Sequence, residues 1–261
     1  PADQAAATAS HRCRRIVVQW MARALVPVQD RSAALVPQGA EALVCVRHPT
    51  WGVVAPAHFI PAANDPYLHA LSRFVIAATL ADSRQFANAN HPVRASIPLP
   101  LLALEDMQFI DGMLERLSEK ARQNGFLIGV DCIDLVNDYA LVQRIGAQLA
   151  QRNIGIAISD IDAEGAALAA CRDLPVVEMK INRRLIRGCA DDRIKQAQCA
   201  EILGIARGTG AKSVARGVET QSDFLAVREL GLDLIQGQIA KPMAPRKFER
   251  TMLAQNYAAV A

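Results

Sequence analysis

Polar and charged side chains stand at the ends of several short apolar runs, where a binding pocket would need them. These residues are Asp131, Ser159, Asp160, Lys180, Arg216 and Gln236. In a parallel α/β barrel the carboxyl ends of the strands meet at one face, and that face carries the ligand site. The pattern therefore predicts a single pocket that combines carboxylates, cations and an amide. The alternative is a set of solvated strand ends that share no ligand.

The elements that would hold these residues alternate regularly along the chain. Eight short apolar or β-branched runs occur at residues 24–28, 41–46, 93–97, 126–131, 155–159, 176–180, 212–216 and 233–236. Most of them are separated by stretches of helical periodicity, such as residues 108–124, 135–153 and 183–207. Strands that alternate with helices pair in parallel through right-handed crossovers, and eight such units close into a barrel. We therefore predict the α/β class and a single (β/α)8 TIM-like barrel.

Local signals mark several boundaries of these elements. Asp106 is placed to cap a helix that begins near residue 108, and Thr220 is placed to cap a helix that stops at Gly231. The stretch 49–63 is rich in proline, and we predict a packed loop there rather than a strand or helix.

Length and composition indicate one ordinary globular domain. Of the 261 residues, 51% are hydrophobic and 21% are charged. We predict a flexible start or linker at residues 1–15 and the barrel at residues 16–261; the initial Pro1 indicates excision from a longer chain, and no signal peptide is visible. The net charge of +3 is too small to predict nucleic-acid binding, and no apolar run predicts a membrane span. The six cysteines are scattered without a CxxC pair, which is typical of reduced thiols in a cytoplasmic protein.

A series of short motifs, in one order along residues 24–248, resembles a known family. The motifs are Glu41-Ala42-Leu43, then His48-Pro49 with Gly52, Pro56 and Phe59-Ile60-Pro61, then Leu174-Pro175 with Lys180-Ile181-Asn182, then Gly217-Val218-Glu219-Thr220, and finally Gly231, Gln236-Gly237 and Pro242. Their order and spacing are similar to those of the EAL family of cyclic-di-GMP phosphodiesterases. The resemblance implies an EAL-type barrel and hydrolysis of cyclic-di-GMP to linear pGpG by two Mg²⁺ or Mn²⁺ ions, which need carboxylate ligands.

The positions that supply those ligands are only partly retained. Glu41, Lys180 and Gln236 stand where the family has the same residue types. The departures are Ser96 for an asparagine, Asp131 and Asp134 for two glutamates, Ser159 for the first of two paired aspartates, and Arg216 for a glutamate; residues 161–165 also depart from the family's loop. Shortening Glu to Asp withdraws the carboxylate by roughly 1.5 Å, whereas metal–oxygen distances tolerate about 0.2 Å.

Arg216 is the departure with the largest consequence. It replaces an anionic ligand with a permanent cation that has donors and no acceptor. At about 4 Å and an effective dielectric constant near 20, two unit charges interact by roughly 4 kcal/mol. We therefore predict no metal site and no enzyme activity, with Glu41, Asp131, Asp160 and Lys180 as vestigial catalytic positions. We also predict that Arg216 pairs with Glu41 or Asp160; the alternative is a side chain directed into solvent.

Retained binding of the dinucleotide is a separate question. The candidate binding residues are Glu41, Leu43, Asp160, Lys180, Arg216 and Gln236. Lys180 and Arg216 are suited to contact phosphate, and Leu43 to pack on a guanine. Against binding, Cys45 stands where the family has an arginine and Val26 where it has a glutamine.

The resemblance and these departures together lead to one function and two alternatives. We predict a catalytically impaired EAL module that acts as a cyclic-di-GMP receptor or protein-interaction module in bacterial second-messenger signalling. Its partners would be cyclic-di-GMP, a protein or a preceding regulatory domain, and not nucleic acid. One alternative is a protein-interaction barrel that binds no nucleotide. The other is a weak phosphodiesterase that needs Mg²⁺ or Mn²⁺ as cofactor.

Overall fold

Each of the eight apolar runs corresponds to a strand in the computed structural model. The residues that the structure describes are 21–30, 37–48, 50, 52–54, 66–86, 94–115, 119–162, 170–172, 174–240, 244, 247–248 and 250. The strands are β1 (Met21–Asp30), β2 (Pro37–His48), β3 (Gly52–Val54), β4 (Arg94–Pro98), β5 (Phe126–Asp131), β6 (Ile154–Ile161), β7 (Val176–Ile181), β8 (Lys212–Arg216) and β9 (Leu234–Gln236). The linker predicted at residues 1–15 lies outside the described residues.

The strands pair in a closed ring, which confirms the α/β barrel. Their order is β1-β9-β8-β7-β6-β5-β4-β2, and β1 also pairs with β2. All pairings from β2 through β4 to β9 are parallel, whereas β1 is antiparallel to both of its neighbours. The expectation of parallel pairing throughout was therefore wrong at β1. Residues 31–36 are too few for a crossover, which takes about a dozen residues or more, so β1 and β2 form an antiparallel pair.

A second correction concerns the stretch 49–63, which was predicted to be a loop. Within it, β3 pairs in antiparallel fashion with the end of β2, Val54 opposite Val46 and Gly52 opposite His48. Val53 and Val54 are β-branched, a side-chain type that favours a strand over a loop.

Helices connect the strands over the described part of the chain. They are α1 (Pro66–Phe86), α2 (Met107–Leu114), α3 (Glu119–Asn124), α4 (Cys132–Asn137), α5 (Tyr139–Ala150), α6 (Arg183–Ile186), α7 (Arg193–Thr209) and α8 (Gln221–Leu230). Two of the three predicted helical stretches, residues 135–153 and 183–207, are each divided by an aspartate that caps the start of a further helix. The Asp138 side chain accepts from the backbone N–H of Leu141 at the start of α5, and Asp192 accepts from Ile194 at the start of α7. No described helix has the length and apolarity needed to cross a bilayer.

The predicted helix ends and thiols match the structure. Asp106 accepts a hydrogen bond from the Phe109 N–H at 3.0 Å, and Thr220 accepts one from the Asp223 N–H at 3.1 Å. Gly231 ends α8 with φ +86°, a conformation that favours glycine. The cysteines whose side chains are described are buried free thiols: Cys132, Cys171, Cys189 and Cys199.

The core explains why polar residues stand out at the strand ends. Every residue of β5 is buried until Asp131, which is exposed. Helix α5 packs on β6 and buries Val142, Ile145 and Leu149. Strands that are covered by helices on one side and by the barrel interior on the other must be apolar on both faces. A charged residue inside such a strand therefore needs a partner in the barrel interior.

Candidate functional site

The barrel mouth brings together residues from most of the strands. Glu41 on β2 lies beside Ser96 on β4, and Arg216 on β8 lies beside Gln236 on β9 in the sheet register. Lys180 lies on β7, between the strands that carry the other residues. Five of the six predicted binding residues therefore belong to one cluster of contacting side chains.

The Lys180 ammonium is the centre of this cluster. Its Nζ donates to Glu41 Oε2 at 2.8 Å and to Ser96 Oγ at 3.0 Å, and the side chain is only 1% exposed. Glu178 adds a second carboxylate, with Oε2 at 3.8 Å from the same Nζ. A charge buried this deeply persists only where it is paired and hydrogen-bonded.

Glu178 is a residue that the sequence interpretation missed. It lies two residues before Lys180 on β7, so both side chains point to the same face of the strand. Burial raises the pKa of Glu178 above its ordinary value; the charge of Lys180 opposes this and the charge of Glu41 adds to it. Glu178 Oε2 accepts no hydrogen bond from the described residues. The period-two spacing from Lys180 was the signal that could have identified it.

Glu41 is held in place at both of its oxygens. Oε2 accepts from Lys180 and, at 3.2 Å, from Gln236 Nε2, while Oε1 lies 3.7 Å from Arg216 Nη2. Burial alone would raise the pKa of Glu41, but the charges of Lys180 and Arg216 outweigh it and lower the pKa below its ordinary value. Glu41 is therefore a carboxylate that already has three partners.

The Arg216 guanidinium lies between two carboxylates. Its Nη1 donates to Asp160 Oδ1 at 2.9 Å, in addition to the approach to Glu41. The predicted pairing is therefore confirmed with both acids, and the alternative of an arginine directed into solvent is wrong. The Arg216 side chain is 27% exposed.

Asp160 reaches this position through unusual backbone geometry. Its φ is +56°, in the left-handed region, and the pairing of β6 with β7 is irregular between Ile158 and Ile161. Aspartate tolerates this region better than most residues, and such geometry is concentrated at functional sites.

A cavity of about 300 Å³ is lined in part by the Arg216–Asp160 pair; we call it the acidic cavity. Its lining residues are Glu41, Pro98, Leu99, Pro100, Gly129, Asp131, Asp134, Ser159, Asp160 and Arg216. Burial, followed by the charges of Asp160 and Asp134, raises the pKa of Asp131. Burial likewise raises the pKa of Asp134. Asp131 forms no ion pair with any described lysine or arginine, so it stands apart from the Lys180 cluster.

A second cavity, of about 660 Å³, is also lined by the Arg216–Asp160 pair; we call it the arginine cavity. Its lining residues are Glu41, Asp160, Asn182, Arg183, Arg184, Arg216, Gly217 and Gln236. Three residues, Glu41, Asp160 and Arg216, line both cavities, so the two cavities adjoin at these side chains.

The described residues do not fit a pair of divalent cations. No group of three or more described histidine, cysteine, aspartate or glutamate side chains is arranged to hold a metal ion. Glu41 contacts two cationic side chains, and Asp160 contacts one. The backbone of Leu43 belongs to β2, but its side chain lies outside the described part of the structure. The same holds for the side chains of Val26 on β1 and Cys45 on β2.

Comparison with known proteins agrees with this architecture. The family described as "EAL domain" matches residues 14–242. The chain is 29% identical over 215 residues to the cyclic di-GMP phosphodiesterase PA2567 of Pseudomonas aeruginosa, an alignment that covers 81% of this chain and 36% of that protein. The chain thus spans about a third of that relative's length.

Two solved structures show the same fold. The PaMucR phosphodiesterase in complex with c-di-GMP superposes with a TM-score of 0.81 at 23% identity, over 91% of this chain and 98% of that one. The FimX EAL domain from Pseudomonas aeruginosa bound to c-di-GMP superposes with a TM-score of 0.73 at 18% identity, over 87% and 92% of the two chains.

Proposed function

The chain belongs to the EAL domain family, and from this premise we propose that its barrel mouth binds cyclic-di-GMP without hydrolysing it. The protein then acts as a receptor or protein-interaction module in second-messenger signalling. The position of Arg216 between Asp160 and Glu41 carries the proposal.

Loss of catalysis follows from the charge of that guanidinium. Phosphodiester hydrolysis by paired cations needs free carboxylates, but Arg216 lies 2.9 Å from one candidate ligand and 3.7 Å from the other. At an effective dielectric constant near 20, a unit cation about 4 Å away opposes each charge of an incoming ion by roughly 4 kcal/mol. Moving the arginine aside would leave Glu41 still hydrogen-bonded to Lys180.

Retained binding of cyclic-di-GMP is supported by hydrogen-bonding groups of Arg216 and Gln236 that have no partner in the described structure. Arg216 uses Nη1 and Nη2 in its contacts with the two carboxylates, and arginine has five N–H donors in total. Gln236 Oε1 is buried without a hydrogen-bond partner in the described structure, although Gln236 lines the arginine cavity. A buried acceptor without a partner costs about 1–3 kcal/mol, which a donor on a guanine or ribose would recover.

A protein-binding role without nucleotide is the second candidate. Helix α4 exposes 60% of Ile133 and 44% of Val136 beside Asp134 of the acidic cavity. Two exposed apolar side chains at i and i+3 share one helix face. That face is small. It therefore favours a protein contact made in addition to nucleotide binding over a protein contact that replaces nucleotide binding.

Isothermal titration with cyclic-di-GMP, with and without EDTA, tests the proposal. We expect binding that EDTA leaves unchanged, and no pGpG by mass spectrometry after incubation with Mn²⁺. The double variant Arg216→Glu/Ser159→Asp restores two acids and should gain Mn²⁺ affinity at least about tenfold, since the opposing cation is removed. Arg187→Gln, at a side chain that is 71% exposed, is the matched control. Clear pGpG formation by the unaltered protein that is abolished in Glu41→Ala would refute the loss of catalysis.

A further inference from the structure

The two cavities at the barrel mouth differ in charge. The acidic cavity is lined by four carboxylates and one arginine, and the arginine cavity by three arginines and two carboxylates. Counted formally, the first carries three negative charges and the second one positive charge. An anionic group that reaches the mouth is therefore directed to the arginine side.

Arg183 and Arg184 are the residues that give the second cavity its charge. Neither guanidinium forms a hydrogen bond or an ion pair with any residue that the structure describes, and both side chains are exposed. By contrast, the nearby Arg187 lies 3.9 Å from Glu219. Two arginines without partners, beside a third that has donors to spare, are what an oxyanion with several oxygens requires.

The local backbone fixes where the two arginines stand. The Asn182 N–H donates to the Ile161 carbonyl at 2.7 Å, and Asn182 Oδ1 accepts from the Arg184 N–H at 2.9 Å. Gly217 has φ +75°, and a Cβ at this position would lie 2.7 Å from Arg183 Cβ. Arg183 therefore packs directly against the residue that follows Arg216, so the end of β8 and the start of α6 are in contact.

We propose that the arginine cavity is a subsite for a terminal phosphate. A phosphomonoester carries about 1.5 to 2 negative charges at pH 7 and three acceptor oxygens, whereas the phosphate of a cyclic dinucleotide is a diester with a single charge. This inference rests on the proposed function, because it assumes that the rest of the dinucleotide occupies the same mouth. The ligand class is thus a linear guanine dinucleotide with a 5′-phosphate, held by its base and diester near Gln236 and by its terminal phosphate at Arg183 and Arg184.

Calorimetric titration with pGpG, GpG and cyclic-di-GMP tests the subsite directly. We expect pGpG to bind at least about tenfold more tightly than GpG, because only pGpG has the terminal phosphate. In Arg183→Gln/Arg184→Gln this ratio should fall below about threefold, while cyclic-di-GMP affinity changes by less than about threefold. Arg187→Gln should keep the tenfold ratio, and circular dichroism checks that each variant folds. Equal affinities for pGpG and GpG, or a ratio that is unchanged in the double variant, would overturn the proposal.

A separate measurement distinguishes failure of the subsite from failure of the proposed function. The probe is 5′-GMP with guanosine as its unphosphorylated partner, followed by NMR of labelled arginine side chains. If cyclic-di-GMP and both dinucleotides fail to bind, shifts of the Arg183 and Arg184 signals by 5′-GMP but not by guanosine still support the phosphate subsite. The absence of such shifts overturns it, whatever the outcome with cyclic-di-GMP.

Discussion

Replacement of Lys180 by methionine should destabilise the barrel more than any surface charge change. The substitution keeps most of the side-chain volume and removes the ammonium that contacts Glu41 and Ser96. Glu41 and Glu178 then remain buried without the cation that lies 2.8 Å and 3.8 Å from them. Breaking a buried pair by removing one partner costs about 3–5 kcal/mol.

The remaining contacts set the value within that range. Arg216 still lies 3.7 Å from Glu41 and Gln236 still donates to it, so we expect about 3 kcal/mol for Lys180→Met. Glu41→Gln leaves Lys180 with Glu178 as a counter-charge, and we expect about 2 kcal/mol. The double variant removes both charges together. Its cost should therefore be smaller than the sum of the two single costs by about 2 kcal/mol.

Urea unfolding, followed by circular dichroism, measures these free energies. An m-value equal to that of the unaltered protein checks that each variant still unfolds in a two-state transition. Lys212→Met is the matched control, since Lys212 is 63% exposed and its pairing with Asp233 should contribute no more than about 1 kcal/mol. If Lys180→Met cost less than about 1 kcal/mol, or if the single costs added within about 0.5 kcal/mol, the buried cluster would not be the coupled unit that its geometry indicates.

Three further perturbations test other parts of the same end of the barrel. Burial raises the pKa of Glu178, so its stabilising contribution is present below the unfolded-state pKa and is lost as pH rises through the folded-state pKa; relative to Glu178→Gln, the unaltered protein should lose stability in urea titrations as pH rises above the ordinary range of a glutamate. Gly217→Ala adds a Cβ at φ +75° and 2.7 Å from Arg183 Cβ, which should cost at least about 2 kcal/mol in the same assay, whereas a cost near zero would contradict the close packing. Asp223→Ala removes the acceptor of the Gly188 and Ala190 N–H groups, at 3.1 Å and 3.3 Å, and of the Thr220 hydroxyl, at 2.9 Å. It should lower Tm by about 4–8 °C, the equivalent of about 2 kcal/mol; an unchanged Tm would show that these bonds contribute nothing.

The sequence predicts the members of the site better than their contacts. Asp160, Lys180 and Arg216 could be identified because each interrupts an apolar run at the point where a strand ends, and that location alone places them at one face. The spacing of two residues from Lys180 places Glu178 on the same strand face, but its need for a partner appears only once Lys180 is known to be buried. The contacts of Arg216 with Glu41 and Asp160, which both cavities share, depend on how far each side chain reaches, and residue spacing in the sequence does not encode that distance.

In the fold too, the sequence predicts local features such as strands and helices, but it does not predict features that the tertiary structure decides. Apolar runs identify strands but carry no direction, so the antiparallel β1 was missed; the shortness of residues 31–36 was the available signal. Asp138 and Asp192 lie within helical periodicity, where a short polar residue fits an exposed helix position as well as a cap. Only the tertiary structure, which turns the chain at these points, decides between the two.

Strand β1 also determines where the ring of hydrogen bonds is weakest. Its register with β9 comprises only Gln29 opposite Ile235 and Asp30 opposite Leu234, whereas β5 is paired with β6 along the whole of β5. The hydrogen bond from Gln236 to Glu41 joins β9 to β2, the two strands that lie on either side of β1. A ligand donor that bonds Gln236 Oε1 leaves that bond in place and orders the amide that makes it, so we expect ligand binding to shift the local opening equilibrium of β1 toward the closed state. The mouth of the barrel is thereby coupled to the strand that leads directly from the N-terminal residues.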